Sequence, residues 1–350
     1  MRKVRLGRTG LSVSQFGFGG IPIQRLAEDE AVAVVKRCLD LGVTFLDTAN
    51  GYTTSEERIG KAISGRREGL VIATKSLSRK AEGVEKHLKL SLERLNVQYI
   101  DIYQFHGVSD DKTLETVLAP DGPMAVVEKA KEAGLVKHIG VTSHQIDVAK
   151  RAVISNRFET LMFPFNFVTS EAADELLPLC RRYDVGFIAM KPLAGGMIPN
   201  VRVAIKYLLQ FPDVVICCGI EKASEVEEIV EIVEGPAEMT SAELDEMHRL
   251  KRELGSRFCH RCDYCQPCKE GIAISTVLMF PSLLRRGRPE NIFNGPWAQA
   301  VEKAAGCTQC GECEQRCPYQ LPIREMIAEH VSLFRRAKEE YLKQKLPSAG

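Results

Sequence analysis

Eight of the twelve cysteines lie between Cys259 and Cys317, in two groups of four. The second group, Cys307, Cys310, Cys313 and Cys317, has the spacing C-x2-C-x2-C-x3-C and is followed by Pro318. Three thiolates so spaced can wrap one face of a [4Fe–4S] cubane from a tight loop, and the fourth, followed by proline, starts the next segment. CxxC pairs alone would also allow a structural zinc held by four thiolates. The continuous run and the trailing Cys-Pro favour iron and sulfide. The first group, Cys259, Cys262, Cys265 and Cys268, departs from this pattern: Pro267 precedes its fourth cysteine, and Lys269 stands where proline is expected. Two sets of four still match two [4Fe–4S] clusters, whose chemistry is one-electron transfer. His260, inside the first group, reads as an exposed spacer and not as an iron ligand.

The chain has 350 residues, 45% hydrophobic and 27% charged, with a formal net charge of +1. That balance makes no electrostatic case for nucleic acid or a membrane surface as partner. No apolar run reaches the length of a membrane span, and MRKVRLGRTG at the start lacks the apolar stretch of a secretion signal. A cytoplasmic location is expected, where thiols stay reduced and a disulfide framework is a poor reading. Cys38, Cys180, Cys217 and Cys218 are scattered and read as packing residues. Cys217 and Cys218, adjacent on a strand, must face opposite sides.

A second constellation lies upstream. FLDTANGY puts Asp47 at the end of an apolar run and Tyr52 just beyond it, IATK ends in Lys75, and DIYQFH ends in His106. Each run is one of eight short strand patterns, over 14–20, 44–49, 71–75, 99–106, 137–143, 160–165, 185–190 and 214–219. Amphipathic helical stretches alternate with them, such as 28–42, acidic at its start and closed by Gly42. Alternating strands and helices imply a parallel sheet, and eight repeats imply a (β/α)8 TIM barrel. An open dinucleotide-binding sheet is the alternative, but no GxGxxG follows a strand. In a barrel the reacting groups come from the C-terminal strand ends, where Asp47, Lys75 and His106 fall. From about Thr240 strand periodicity disappears. The stretch 241–254 reads as a helix with Leu244, Met247 and Leu250 on one side, and 323–346 is helical and highly charged toward its end. The expected organisation is a barrel over residues 1–250 and a small, mainly helical iron–sulfur domain over 251–350.

The ordered set LGRTGLSVSQFGFGG, DTANGY, IATKS, SLERLNVQYIDIYQFH and KHIGVTS resembles the aldo-keto reductase family over about residues 1–235. With the cysteines it looks like the iron–sulfur branch of that family, whose C-terminal part is a ferredoxin-type domain. The resemblance implies Asp47, Tyr52, Lys75 and His106 as the catalytic four. Reduction of a carbonyl by hydride needs a proton for the developing alkoxide, and free tyrosine, with a pKa of about 10, is poorly matched to neutral pH. A neighbouring Lys75 cation would favour phenolate at Tyr52, Asp47 would anchor that lysine, and His106 could orient the carbonyl or share the proton. The plainer alternative is a structural Asp47–Lys75 ion pair with Tyr52 and His106 lining a pocket.

For the cofactor, NADP(H) or NAD(H), the resemblance is less complete. Thr142 and Ser143 stand where the family holds the nicotinamide carboxamide, with Met162 at the position of a third, glutamine contact and Asn166 four residues on. Met190 falls where an aromatic ring stacks on nicotinamide, and methionine can cover a ring but cannot bond an amide. At the phosphate end, Gly195 and Gly196 follow strand seven, and Gly219, Lys222 and Ser224 follow strand eight. Ser224-x-x-Glu227 reads as a capping box, whose helix N-terminus favours phosphate. Lys222 either selects a 2′-phosphate or is a solvated lysine. His144 either enters the substrate or cofactor site or is a surface-loop histidine. Ferredoxin-type ligation implies crossing: Cys259, Cys262, Cys265 and Cys317 for one cluster, Cys307, Cys310, Cys313 and Cys268 for the other.

These features imply an oxidoreductase that reduces a small-molecule carbonyl with NAD(P)H, its clusters passing electrons or bracing the C-terminus. The alternative is an electron-transfer module that exchanges single electrons with a ferredoxin or another redox protein, its barrel binding substrate or a subunit. A hydride carries two electrons, whereas a cluster passes one; the flavin that would couple them has no motif here, though barrels often bind flavin without one.

Overall fold

The computed structural model describes residues 1–345, so Leu346, expected to end the last helix, lies outside the described residues. The chain opens with an antiparallel hairpin of β1 (Lys3–Arg5) and β2 (Ser12–Ser14), in the register Lys3↔Ser14, Val4↔Val13, Arg5↔Ser12. This hairpin is not among the eight strand patterns read from the sequence. Its turn needs Gly7, whose φ is +53° and whose Cβ, if present, would lie 2.2 Å from the Gly186 nitrogen. Val4, Leu6 and Val13 then join the apolar cluster inside the barrel and fill its N-terminal end.

Eight parallel strands close the barrel: β3 (Phe16–Gly19), β4 (Phe45–Asp47), β5 (Val71–Ser76), β6 (Ile100–Phe105), β7 (Val136–Thr142), β8 (Thr160–Pro164), β9 (Gly186–Met190) and β10 (Val214–Gly219). Neighbours follow sequence order, and β10 returns to pair with β3. Each strand lies on one of the eight runs legible in the sequence, with helices between. Successive side chains alternate across each strand. Leu46, Ile72, Tyr103, Val141 and Phe163 face the helical layer. Phe45, Ala73, Ile102, Met162 and Ile188 face the interior. Each buried Val, Leu, Ile, Phe or Met side chain among them contributes about 1.5–3 kcal/mol, and the sum holds the strand ends in place. Counting on by two from the inward residues brings Asp47, Lys75, Gln104 and Thr142 to the inward face at the C-terminal rim. Cys217 belongs to the interior cluster and Cys218 to the outer one, on opposite faces as expected. Burial pushes the thiols of Cys38, Cys180 and Cys218 up to about 12, in keeping with packing residues.

By internal contacts the chain divides into Met1–Ala194 with Ile198–Met247, and a second unit of Gly195–Met197 with the chain from His248 onward. The second unit is helical, with helices Ile274–Leu278, Phe280–Arg286, Pro289–Asn294, Pro296–Ala304, Glu312–Gln315 and Ile323–Lys345. Its own core includes Val277, Phe280, Phe293, Val301, Ile327 and Phe334. Along helix Ser241–Gly255, Leu250 is buried but Leu244 is 40% exposed, so the expected apolar side is only partly covered. Among the described residues no helix is long and apolar enough to cross a membrane.

Candidate functional site

Asp47 ends β4 and Lys75 lies near the end of β5, and both are buried. Lys75 Nζ donates to Asp47 Oδ2 at 2.6 Å and to the Thr48 carbonyl at 2.6 Å. The other carboxylate oxygen, Asp47 Oδ1, accepts from Gln104 Nε2 at 3.1 Å. Burial opposes charge on Lys75, but attraction to Asp47 and Tyr52 outweighs it and raises the ammonium above its ordinary value. Burial pushes the Asp47 carboxyl up, and Lys75 and Gln104 oppose that shift. A buried pair of this kind holds only while both partners are present, since either charge alone would be stranded in a low-dielectric interior. Gln104 belongs to this lock and was legible in principle: on IDIYQFH it shares the inward face with Ile102 and His106 by period two.

Tyr52 sits in the turn after β4, its N–H donating to the Ala49 carbonyl at 2.9 Å. Lys75 Nζ lies 5.0 Å from the centre of the Tyr52 ring. The His106 ring meets the Tyr52 ring edge-on, with centroids 5.7 Å apart and planes at 83°. His106 follows β6, its N–H donating to the Ser76 carbonyl at 3.0 Å and its own carbonyl accepting from Arg79 at 2.6 Å. The structure therefore brings Asp47, Tyr52, Lys75 and His106 together at one rim, from three strand ends and one turn. That arrangement can move a proton from the tyrosine hydroxyl beside a fixed cation.

The nicotinamide candidates are differently engaged. Thr142 Oγ1 accepts from the Gly107 N–H at 2.8 Å, and Ser143 Oγ exchanges 3.2 Å contacts with the Gln145 backbone. Asn166 donates to the Lys191 carbonyl at 3.0 Å and accepts from the Val168 and Thr169 N–H groups, both at 2.9 Å. Met162 is buried inside the barrel, and Met190 packs beside the same cluster. Gly195 and Gly196 belong to the second unit, where Ser282 and Arg285 donate to their carbonyls. Gly219, the last residue of β10, and Lys222, three residues beyond it, are exposed. The capping box expected at Ser224 and Glu227 is displaced. The helix runs Ala223–Glu234, and Glu225 accepts from the Glu221 and Lys222 N–H groups at 2.7 and 3.1 Å. Ser224 thus lies inside the first turn, because Lys222 has the extended backbone of the preceding cap, and Glu227 instead pairs with Arg37 at 2.8 Å. His144 is half-buried, with Lys191 Nζ 3.0 Å from its Nε2. Lys191, the first residue after β9, carried no sequence signal beyond that position.

Among the described residues no two cysteines are joined in a disulfide. Cys268 lines one pocket with Cys307, Cys310 and Cys313, together with Lys269, Arg316 and Arg324. Burial raises the Cys265 thiol to about 12, with Cys259 and Cys262 adding to the shift, and Cys317 likewise acts on Cys262 after burial. Cys268 thus lies with the second group at that pocket, and Cys317 is close enough to Cys262 to act on it. The four thiols lining that pocket match in number a cubane cluster, whose irons take one thiolate each. His260 is half-buried and stacks on Tyr319, with centroids 3.6 Å apart and planes at 11°, which corrects its reading as an exposed spacer. The stack forms because Tyr319, two residues after Cys317, is brought to the first group by the chain that carries that cysteine.

The family model of the Aldo/keto reductase family matches residues 15–202, and that of a 4Fe-4S dicluster domain matches residues 258–322. The chain is 30% identical over 213 residues to an oxidoreductase of Bacillus subtilis (strain 168) called YqkF, covering 57% of this chain and 67% of that one. It is 34% identical over 212 residues to L-galactose dehydrogenase of Arabidopsis thaliana, covering 55% of this chain and 66% of the relative. The chain thus spans about two thirds of these relatives' length. An aldo/keto reductase from Klebsiella pneumoniae in complex with NADP and acetate shares the fold, with a TM-score of 0.60, 22% identity, and coverage of 71% of this chain and 95% of that one.

Proposed function

Since this chain belongs to the aldo/keto reductase family and carries an iron–sulfur dicluster domain, we propose that it reduces the carbonyl of a small molecule at Tyr52. NADPH or NADH would supply the hydride, and the Klebsiella relative described with NADP supports that choice of cofactor. Two [4Fe–4S] clusters would supply single-electron transfer, one held by Cys259, Cys262, Cys265 and Cys317, the other by Cys268, Cys307, Cys310 and Cys313. We assign reduction to residues 1–250 and electron transfer to 251–350, and place the protein in the cytoplasm, where thiols stay reduced.

The observation that carries this reading is Lys75, fixed to Asp47 at 2.6 Å and set 5.0 Å from the Tyr52 ring centre. As hydride adds to the carbonyl carbon, negative charge grows on oxygen, and the Tyr52 O–H gives it a proton. The phenolate left behind faces the Lys75 cation, which stabilises it. Asp47 keeps Lys75 from turning away, and Gln104 keeps Asp47 in place. His106, edge-on to Tyr52, bounds the space in which the carbonyl oxygen lies. The products are an alcohol and the oxidised nicotinamide, and Tyr52 regains its proton from solvent.

The engagement of Thr142 and Asn166 by backbone favours a second reading, in which the barrel binds substrate or subunit and the clusters exchange electrons with a ferredoxin-like carrier. One anaerobic preparation separates the two. The first reading expects about eight irons per chain, oxidation of NADPH by aldehydes, and its loss in Tyr52→Phe. Absence of NADPH binding and of carbonyl reduction, with clusters still reduced by a one-electron donor, would establish the second.

A further inference from the structure

Lys191 follows β9 with φ +58°, a left-handed conformation that a residue with a side chain seldom adopts. Asn166 holds it there. This side chain is 1% exposed, and its Nδ2 donates to the Lys191 carbonyl at 3.0 Å. Its Oδ1 accepts from the Val168 and Thr169 N–H groups, so the buried amide ties the loop after β8 to the residue after β9. Strain of this kind persists where the surroundings over-determine it, and it gathers where the placing of a side chain matters.

That side chain reaches across the mouth of the barrel. Lys191 Nζ lies 3.0 Å from His144 Nε2, spanning from the end of β9, past β8, to the turn after β7. The His144 N–H donates to Ser109 Oγ at 3.0 Å, in the turn that begins with His106. In the same turn, the Gly107 and Val108 N–H groups both donate to Thr142, at 2.8 Å. His106 and His144 therefore stand on adjoining turns laced together by three hydrogen bonds, one of them beside Tyr52 and the other beside Lys191.

Lysine has three N–H donors and no acceptor, and histidine accepts at one ring nitrogen when neutral and donates from both when protonated. Arriving between them, an anion would take a proton-bearing nitrogen from each and replace their mutual contact with two charge-assisted hydrogen bonds. We propose that Lys191 and His144 bind the anionic group of the carbonyl substrate, a carboxylate or a phosphate, while Asn166 positions Lys191 to do so. The substrates are then oxo acids or phosphorylated aldehydes and ketones, not neutral carbonyl compounds. This inference rests on reduction at Tyr52, and its test separates the two claims.

Turnover is measured with matched pairs: 4-carboxybenzaldehyde against 4-methylbenzaldehyde, and glyceraldehyde 3-phosphate against glyceraldehyde. The wild-type protein favours the anionic member of at least one pair in kcat/KM. Lys191→Met lowers that preference by about 10- to 100-fold, the scale of a hydrogen bond to a charged group. His144→Gln lowers it less, and Lys191→Arg restores most of it. An unchanged preference in Lys191→Met overturns the proposal. So does a loss seen only in the dissociation constant for NADPH, which would make the anion the cofactor's own. If no aldehyde is reduced, the reading of Tyr52 fails while the subsite stays testable by calorimetry with 4-carboxybenzaldehyde. Binding to the wild type that weakens in Lys191→Met supports the subsite, and equal binding or none overturns it.

Discussion

Lys75 in the barrel and Cys310 in the second unit both belong to sites read as redox-active, yet they are held in opposite ways. Lys75 is 2% exposed, sits on a strand paired on both sides, and is fixed by two protein oxygens. Cys310 is exposed, lies in a loop between short helices, and lines its pocket with three other thiols. In the barrel site Lys75 and Asp47 are held by the protein's own hydrogen bonds, because a closed sheet places each rim residue by packing far below it. The cysteine sets take their members from distant stretches of a small helical core, so a bound cluster is what would cross-link them. Fold precedes site in the first region; in the second, site and fold are coupled.

Anaerobic removal of iron should break this comparison most visibly. The segment from about Phe258 to Tyr319 is expected to lose its protection against hydrogen exchange and proteolysis, while the barrel keeps its own cooperative thermal transition. Equal protection of both regions without iron would contradict the coupling. Within the second unit, Cys268→Ser and Cys259→Ser are expected to abolish different paramagnetic signals, each leaving the other cluster, as read by electron paramagnetic resonance.

In the barrel the expected losses are chemical before they are structural. Tyr52→Phe should lower carbonyl reduction by about 10²- to 10⁴-fold, the range of general acid catalysis, with little change in melting temperature. Lys75→Met should lose comparable activity and about 3–5 kcal/mol of stability as well, because it strands the buried Asp47 carboxylate. Denaturant titration distinguishes the two variants, and equal stabilities would show that Asp47 is neutral in the folded protein.

The smallest effect tests the scaffold alone. Glu159, just before β8, accepts from Lys131 at 2.6 Å and from the Ile139 N–H at 3.0 Å, and lies 2.8 Å from His138 Nδ1. Burial acts to raise its carboxyl, but bonds from His138, Lys131 and Ile139 prevail and hold it at about 2, below the ordinary 4.5. Its stabilisation is therefore complete above pH 4.5 and fades as pH falls toward 2. Glu159→Gln should cost about 1–2 kcal/mol at neutral pH and flatten the acid limb of stability against pH. Catalysis and iron content should not respond.

Much of this was written locally. Strands were legible because period-two alternation is a property of five or six consecutive residues, and Asp47, Lys75 and His106 were legible because they end such runs. The cysteine spacing was legible for the same reason. The hairpin at Lys3–Ser14 was not among the strand patterns, and the cap at Glu225 was missed because the chain enters that helix two residues earlier than the spacing rule puts it. By itself the sequence determined the order of elements, the face each residue takes and the ligand chemistry of sulfur, all of which depend on neighbours along the chain. Only the tertiary structure decided that Gln104 locks Asp47, that Asn166 bonds the Lys191 carbonyl while Lys191 reaches His144, and that His260 stacks on Tyr319. Those contacts depend on barrel closure and loop course, which bring residues from separate strands within hydrogen-bonding distance by packing forces that carry no local signature.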